Sequence, residues 1–311
     1  MNKINFILIA IILSLAVGCR SNQDKVYKST PNVKILKNGI IKYNGYINFA
    51  GYKLLLKAYA QSSVAPTLLI IKSRGGDPYA GMMMGRFIRD KKMRLRVRGY
   101  CLSACANYLF PAATVKYIEN NAIVGFHQSL SGIVIEGKTI PIDEVLPLWD
   151  KIFSDMWDKI IVENHRKKDK KIALDKITQT PIARQRSQYY PEYISRCGKR
   201  KPNLDHHRTK NEILQFMAKK LMSCFNYMDE QESVFYNELK VDFRLSKMGI
   251  ARLKKAQIES DNNVKFFYYD PASLKALGVQ EVKYAKGWSP RENKYYKKMI
   301  KINLSDWQQQ L

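Results

Sequence analysis

Acidic side chains are scarce: 27 Asp and Glu stand against 53 Lys and Arg in 311 residues, a formal net charge of +26. Lys3 is the one charged residue among the first eighteen, so nearly all of that excess belongs to the remainder of the chain. A field of this size keeps a protein soluble and draws it to anionic surfaces, but does not specify a fold. Glycine (16) and proline (11) are too few for collagen, and five cysteines are too few for a small disulfide scaffold. Apolar residues make up 46%, which excludes a disordered chain. There is no internal repeat and no low-complexity tract. No Cys/His spacing resembles a zinc site, and His206-His207 beside Asp205 reads as a solvated polar loop. The composition implies a folded chain of about two domain lengths, and the chemistry set out below calls for no metal and no cofactor.

The amino terminus reads as an address. Phe6–Val17 is an apolar run broken only by Ser14, too short to span a bilayer but suited to a secretory signal behind Lys3. Leu15-Ala16-Val17-Gly18-Cys19 resembles the lipobox of bacterial lipoproteins, with Ala16 where Leu is usual. By that resemblance residues 1–18 are removed, Cys19 is lipidated, and residues 19–33 tether the chain on the periplasmic side of a bacterial cell envelope. A plain signal peptide and a soluble secreted chain are the alternative. Apart from Cys19, four cysteines remain, an even number suited to an oxidising compartment. They allow three pairings, one of which joins Cys101 to Cys105 and Cys197 to Cys224.

Three blocks follow the tether. Residues 34–142 alternate strand and helix, the mark of β-α-β units. Strands are expected over Ile40–Asn48, Thr67–Lys72, Arg94–Gly99, Lys116–Ile118 and Ala122–Phe126. Helices are expected over Tyr52–Gln61, Ala80–Arg89 and Ser103–Phe110. Residues 143–258 are basic and mainly helical, with Trp149, Ile152, Phe153, Met156, Trp157 and Ile160 on one apolar stripe. Residues 151–220 alone hold 18 Lys and Arg against 8 Asp and Glu, with Arg166–Lys171 as a charged loop. Residues 259–284 return to the α/β pattern: Val264–Tyr269 reads as a strand, Asp270-Pro271 caps a helix, and Gly278 stops it. Residues 285–311 form a basic tail, and from Trp288 onward the chain is expected to be peripheral.

The chemistry concentrates between Ser73 and His127. Ser103 lies among small residues in Gly99-Tyr100-Cys101-Leu102-Ser103-Ala104-Cys105, where a strand turns into a helix whose free amides favour developing negative charge. Gly75-Gly76 follows the most apolar strand, and glycine lets the backbone approach a substrate closely. His127 ends a further strand, and an imidazole is the side chain best suited to take a serine proton near neutral pH. Cys101 and Cys105 offer a thiol alternative, though two small residues bracing the turn is the simpler role.

Together, LIIKSRGGDPYAGMMMGRFIRD and RVRGYCLSACANYLFPAATVKYIENNAIVGFHQS resemble the proteolytic subunit of the Clp protease and, more closely, uncharacterised secreted relatives in the Clp/crotonase superfamily. The resemblance covers roughly residues 38–130 and 264–282. The intervals from Gly76 to Ser103 (27 residues) and from Ser103 to His127 (24 residues) are close to those of the family. It implies a Clp/crotonase-like β-α-β spiral core carrying a large basic helical insertion. It also implies Ser103 as nucleophile, His127 as general base, and the amides of Gly76 and Ala104 as oxyanion hole. The chain departs from the family at the third triad residue: FFYYDPASLKALGV puts Phe266 where the acid belongs. Asp261 is the nearest substitute, with Asp143 and Asp175 further away. The insertion falls where Clp subunits carry their ring-stacking helix, so ring assembly is not assumed. The expected function is a membrane-tethered serine hydrolase acting on peptides or proteins. The alternative is an inactive scaffold that binds a protein, anionic lipid or envelope polymer through its basic insertion. Nucleic acid is disfavoured as a partner, because it is scarce outside the cytoplasm.

Overall fold

The computed structural model describes residues 29–127, 133–135, 138–140, 196–197, 210–247 and 264–303. Cys19, Asp143, Asp175 and Asp261, and the helical stripe from Trp149 to Ile160, lie outside the described residues. The chain divides into two units, one of residues 13–129 and 232–311, the other of residues 1–12 and 130–231.

In the first unit a hairpin of β1 (Asn32–Leu36) and β2 (Ile40–Asn44) opens the sheet. Asn48 then caps α1 (Phe49–Gln61), its side chain accepting the Gly51 amide at 2.8 Å. β3 (Leu68–Ser73) is apolar on both faces, as a parallel strand covered on both sides must be, and Leu69 and Ile71 are fully buried. Asp77 caps α2 (Pro78–Asp90), accepting the Ala80 amide at 2.8 Å with Pro78 in the first turn. β4 (Arg94–Leu102) runs into a π-helical segment, Cys105–Leu109, and one α-helical turn, α3 (Phe110–Ala112). β5 (Lys116–Ile118) and β6 (Ile123–Gly125) follow. Strand order is β1-β2-β3-β4-β5, with β6 also paired to β4; every pair except β1–β2 is parallel. The fold is α/β, as the alternation of elements predicts.

One irregularity in this sheet positions the site. Between the pairs Ile71–Val97 and Ser73–Cys101, two steps along β3 are matched by four along β4. The extra residues include Gly99, whose φ of +80° suits glycine. Below the bulge, residues 95–97 of β4 pair with β5; above it, Tyr100–Leu102 pair with β6. The top of β4 is thereby set beside Ser73 on one flank and Gly125 on the other.

The same unit holds the end of α4 (Lys210–Leu239), β9 (Phe266–Tyr269), α5 (Pro271–Ala276), β10 (Val282–Tyr284) and β11 (Met299–Ile302). β10 joins the sheet beside β5, and β11 pairs with β9. Asp270 caps α5 and Gly278 follows it at φ +86°, as expected. The segment from Trp288 is not peripheral, because it carries apolar groups that the core covers. Trp288 donates its indole N–H to the Ala122 carbonyl at 2.9 Å, Pro290 is buried, and Ile302 is 1% exposed. Nor are Asn32 and Val33 tether, since they form β1. Residues 232–247, assigned by their charge to the insertion, belong with the core: Phe235 and Tyr236 are fully buried. Gly85 on α2 admits this packing, since a Cβ there would lie 2.8 Å from the Phe235 ring.

In the second unit the described residues form a hairpin of β7 (Ile133–Ile135) and β8 (Lys138–Ile140), the Cys197–Cys224 disulfide, and the first part of α4. Arg196 stacks over Tyr227 at 5.5 Å. No helix among the described residues is long and apolar enough to cross a membrane.

Candidate active site

Ser103 occupies the single residue between β4 and the helix that follows. Its φ is +56°, a left-handed conformation that a non-glycine residue rarely adopts and that costs about 1–3 kcal/mol. Two bonds hold it there: its amide donates to the Gly125 carbonyl at 2.9 Å, and its carbonyl accepts the Asn107 amide at 2.8 Å. A disulfide between Cys101 and Cys105 spans it, their Cα atoms 5.2 Å apart. With both sulfurs in that bond, neither cysteine is a thiolate nucleophile.

The diglycine turn lies directly on this junction. A Cβ at Gly75 would come within 2.5 Å of the Ser103 Cβ and 2.8 Å of the Ala104 nitrogen, so only glycine fits. Gly76, at φ +150°, has a similarly close neighbour in the Ile47 carbonyl, 2.2 Å from where its Cβ would stand. The surrounding amides are engaged: Gly75 donates to the Ser73 hydroxyl at 3.1 Å, Ile47 to the Gly75 carbonyl at 2.8 Å, and Asp77 to the Ile47 carbonyl at 2.8 Å. The Gly76 amide donates in none of the turn bonds found among the described residues. Ala104 opens the helix, so its amide is one of the four that a helix leaves without an internal acceptor. Two such amides on adjoining pieces of backbone form a concavity suited to an anionic oxygen.

His127 follows β6, and its carbonyl accepts the Asn107 side-chain amide at 3.3 Å. Ser103 and His127 therefore leave the carboxyl ends of adjacent parallel strands, joined by the Ser103–Gly125 bond and by Asn107. Opposite His127 stands Phe266. Phe126 and Phe267 exchange both main-chain bonds, at 2.7 and 2.8 Å, which fixes an antiparallel register facing residue 127 with residue 266. The two rings lie 5.6 Å apart at 45°. The position where the resemblance calls for an acid thus carries a phenyl ring, while Asp261 lies outside the described residues. Among the described residues no group of three His, Cys, Asp or Glu side chains is placed to hold a metal ion.

Two features escape a reading of the sequence. One is a buried polar cluster behind the helix: Tyr108 donates to Glu232 at 2.8 Å, and Tyr236 donates to the Asn107 carbonyl at 3.0 Å. Burial first, then the Glu232 charge, pushes both tyrosine hydroxyls far up, so they remain protonated donors. Nothing in local spacing joins residue 108 to residue 232. The other is an open cavity of about 130 Å³ beside the diglycine turn, lined by Asn44, Gly45, Tyr46, Lys72, Arg74 and Tyr100. Arg74 inside Ser73-Arg74-Gly75-Gly76 was its only local signal.

No family model matches this chain, and no curated protein matches it. Solved structures similar to it include a methylmalonyl CoA decarboxylase complexed with 2S-carboxypropyl CoA, at 9% identity over 35% of this chain and 53% of that one, TM-score 0.27. Another is a point mutant of the 1510-N membrane-bound stomatin-specific protease, at 15% identity over 39% and 65%, TM-score 0.27. A third is ClpP1 from Listeria monocytogenes, at 19% identity over 44% and 72%, TM-score 0.26. The chain spans about half the length of the decarboxylase.

Proposed function

We propose that this chain is a serine hydrolase acting on peptides through an acyl-enzyme, tethered outside the cytoplasm. Ser103 Oγ attacks the substrate carbonyl carbon while His127 takes the hydroxyl proton. The resulting oxyanion is held by the amides of Gly76 and Ala104. Collapse breaks the carbon–nitrogen bond, and His127 returns the proton to the departing amine. Water, deprotonated by the same imidazole, then attacks the acyl carbon, and the bond to Ser103 Oγ breaks as the imidazolium returns the proton to that oxygen. The observation that carries this reading is Ser103 in a left-handed conformation at a strand–helix junction, with the diglycine backbone packed on it and two adjoining amides that have no acceptor among the described residues. The motif resemblance and its spacings support the same roles. No metal or nucleotide enters any step.

The test is labelling with a fluorophosphonate, which loses fluoride to an activated serine. Wild-type protein labels, whereas folded Ser103→Ala and His127→Ala proteins do not. Labelling that survives Ser103→Ala, or no labelling of folded wild type, overturns the reading. One observation favours a second reading, an inactive scaffold binding a protein or anionic envelope partner: the phenyl ring of Phe266 facing His127. Tethering rests on the leader sequence and Cys19. A clickable palmitate fed to expressing bacteria labels the wild type and not Cys19→Ser; equal labelling of both removes the anchor.

A further inference from the structure

The end of β3 carries two cations for which no carboxylate partner is found among the described residues. Side chains alternate along a strand. Ser73 is buried, and Lys72 and Arg74 on either side of it are both exposed, at the wall of the 130 Å³ cavity. Tyrosines hold them in place. The Lys72 ammonium lies 5.3 Å from the centre of the Tyr100 ring, and the Arg74 guanidinium 5.8 Å from that of Tyr295. Tyr46 and Tyr100 line the same cavity beside Arg74. None of the lining residues is acidic. Four other arginines of this unit pair with carboxylates instead: Arg86 and Arg89 share Glu238, Arg98 pairs with Glu119, and Arg244 pairs with Asp242, whereas Arg96 lies over the Tyr117 ring at 5.9 Å.

We propose that this cavity binds the carboxylate of an acidic residue in a peptide substrate, so that the hydrolase selects acidic sequences beside the bond it cuts. The substrate role rests on the reading of Ser103 as nucleophile. Two cations side by side gain most from an anion between them, and hydrogen bonds from charged donors to a carboxylate are about twice as strong as neutral ones. The volume accommodates a carboxylate with bound water, each water needing at least about 10–15 Å³. Arg74 directly precedes Gly75, whose Cα packs on Ser103. A peptide laid along the diglycine turn, at about 3.3–3.6 Å per residue, therefore reaches the cavity within a few residues of Ser103. That continuity favours a peptide over a phosphate polymer.

The experiment measures fluorescence anisotropy with full-length Ser103→Ala protein at physiological salt. The probes are acetylated, amidated peptides that differ only by Glu against Gln, plus the Gln peptide with a free terminal carboxylate. The Glu peptide binds at least about tenfold tighter than the Gln peptide, a difference of about 1.4 kcal/mol. Lys72→Gln/Arg74→Gln abolishes that preference. Lys57→Gln/Lys275→Gln, which removes the same charge from two other exposed positions, retains it. A preference shown only by the free terminus, equal loss in both double variants, or displacement by polyphosphate but not by excess Glu peptide overturns the proposal. Fluorophosphonate labelling of the wild type separates the two readings. Labelling without a Glu preference sinks the cavity alone; a Glu preference in a protein that never labels sinks the hydrolase and leaves a carboxylate site standing.

Discussion

A methyl group at position 75 would meet the Leu102 carbonyl and the Ser103 Cβ, each at 2.5 Å, on a residue held at φ +86°. Neither neighbour is the flexible end of a side chain, so the backbone itself must move. Gly75→Ala is expected to cost at least about 2 kcal/mol in urea unfolding and to remove fluorophosphonate labelling. Gly287→Ala provides the comparison. That glycine has φ +70° with open space around it, so only the conformational penalty of about 1 kcal/mol applies. Equal effects at the two positions would show that the close approach to Ser103 is unimportant. Lys116 is a different kind of residue. It is 3% exposed and donates to the Gln280 carbonyl at 2.8 Å. Burial lowers its pKa from 10.5 to about 8, against the opposing pull of Glu281. Between those values the unfolded chain binds a proton that the folded chain does not, so stability rises with pH across that window. Above about pH 10 the half-buried Tyr284 reverses the trend, because its hydroxyl, raised to about 12, resists ionisation only while folded. Lys116→Met is expected to flatten the rise between pH 8 and 10. An unchanged profile would mean that Lys116 keeps its proton in the fold.

The parallel core follows from apolar runs such as LLIIK and from helix caps such as Asp77-Pro78 and Asp270-Pro271, all visible in the chain. The glycines around Ser103 are visible too, since a left-handed turn beside a close backbone contact leaves few other choices. The bulge in β4 is not, because it arises from what β5 and β6 each pair with. The same holds for the Glu232 cluster, which joins residues more than a hundred positions apart. Phe266 lies between these cases: alignment of FFYYDPASLKALGV suggests its place, but only the exchange of bonds between Phe126 and Phe267 puts it across from His127. That register makes an element-level prediction. Phe266→Asp places a carboxylate opposite the imidazole, where an opposite charge favours imidazolium and raises its pKa. The labelling rate is expected to increase at least about tenfold, well short of the ~10⁴ that a fully oriented triad carboxylate supplies. The midpoint of its acidic limb shifts to higher pH. Phe266→Asn, with the same shape and no charge, leaves that midpoint in place. If both variants shift it equally, the ring acts by packing and the acid position is not functional.

Across the whole molecule the excess of 53 cations over 27 anions sets a field that local pairs such as Arg98–Glu119 do not cancel. Like charges crowd together on folding, so the compact state is opposed by its own charge until salt screens it. Raising ionic strength from 0.01 to 0.15 M shortens the screening length from about 30 to 8 Å. The melting temperature is expected to rise by about 1.5–3 °C, equivalent to about 1–2 kcal/mol. A flat or falling melting temperature would mean that the charges are already neutralised within the fold. The same titration separates the general field from the cavity at Lys72 and Arg74. Steering by the whole surface acts over tens of ångströms, so association rates of Glu and Gln peptides both fall with salt, the Glu peptide's more steeply. Contact with two cations acts within hydrogen-bond distance and is screened far less. The ratio of dissociation rates for the two peptides is therefore expected to persist at about 0.15 M salt in the wild type and to disappear in Lys72→Gln/Arg74→Gln. A ratio that vanishes with salt in the wild type would assign all acidic selectivity to the field and none to the cavity.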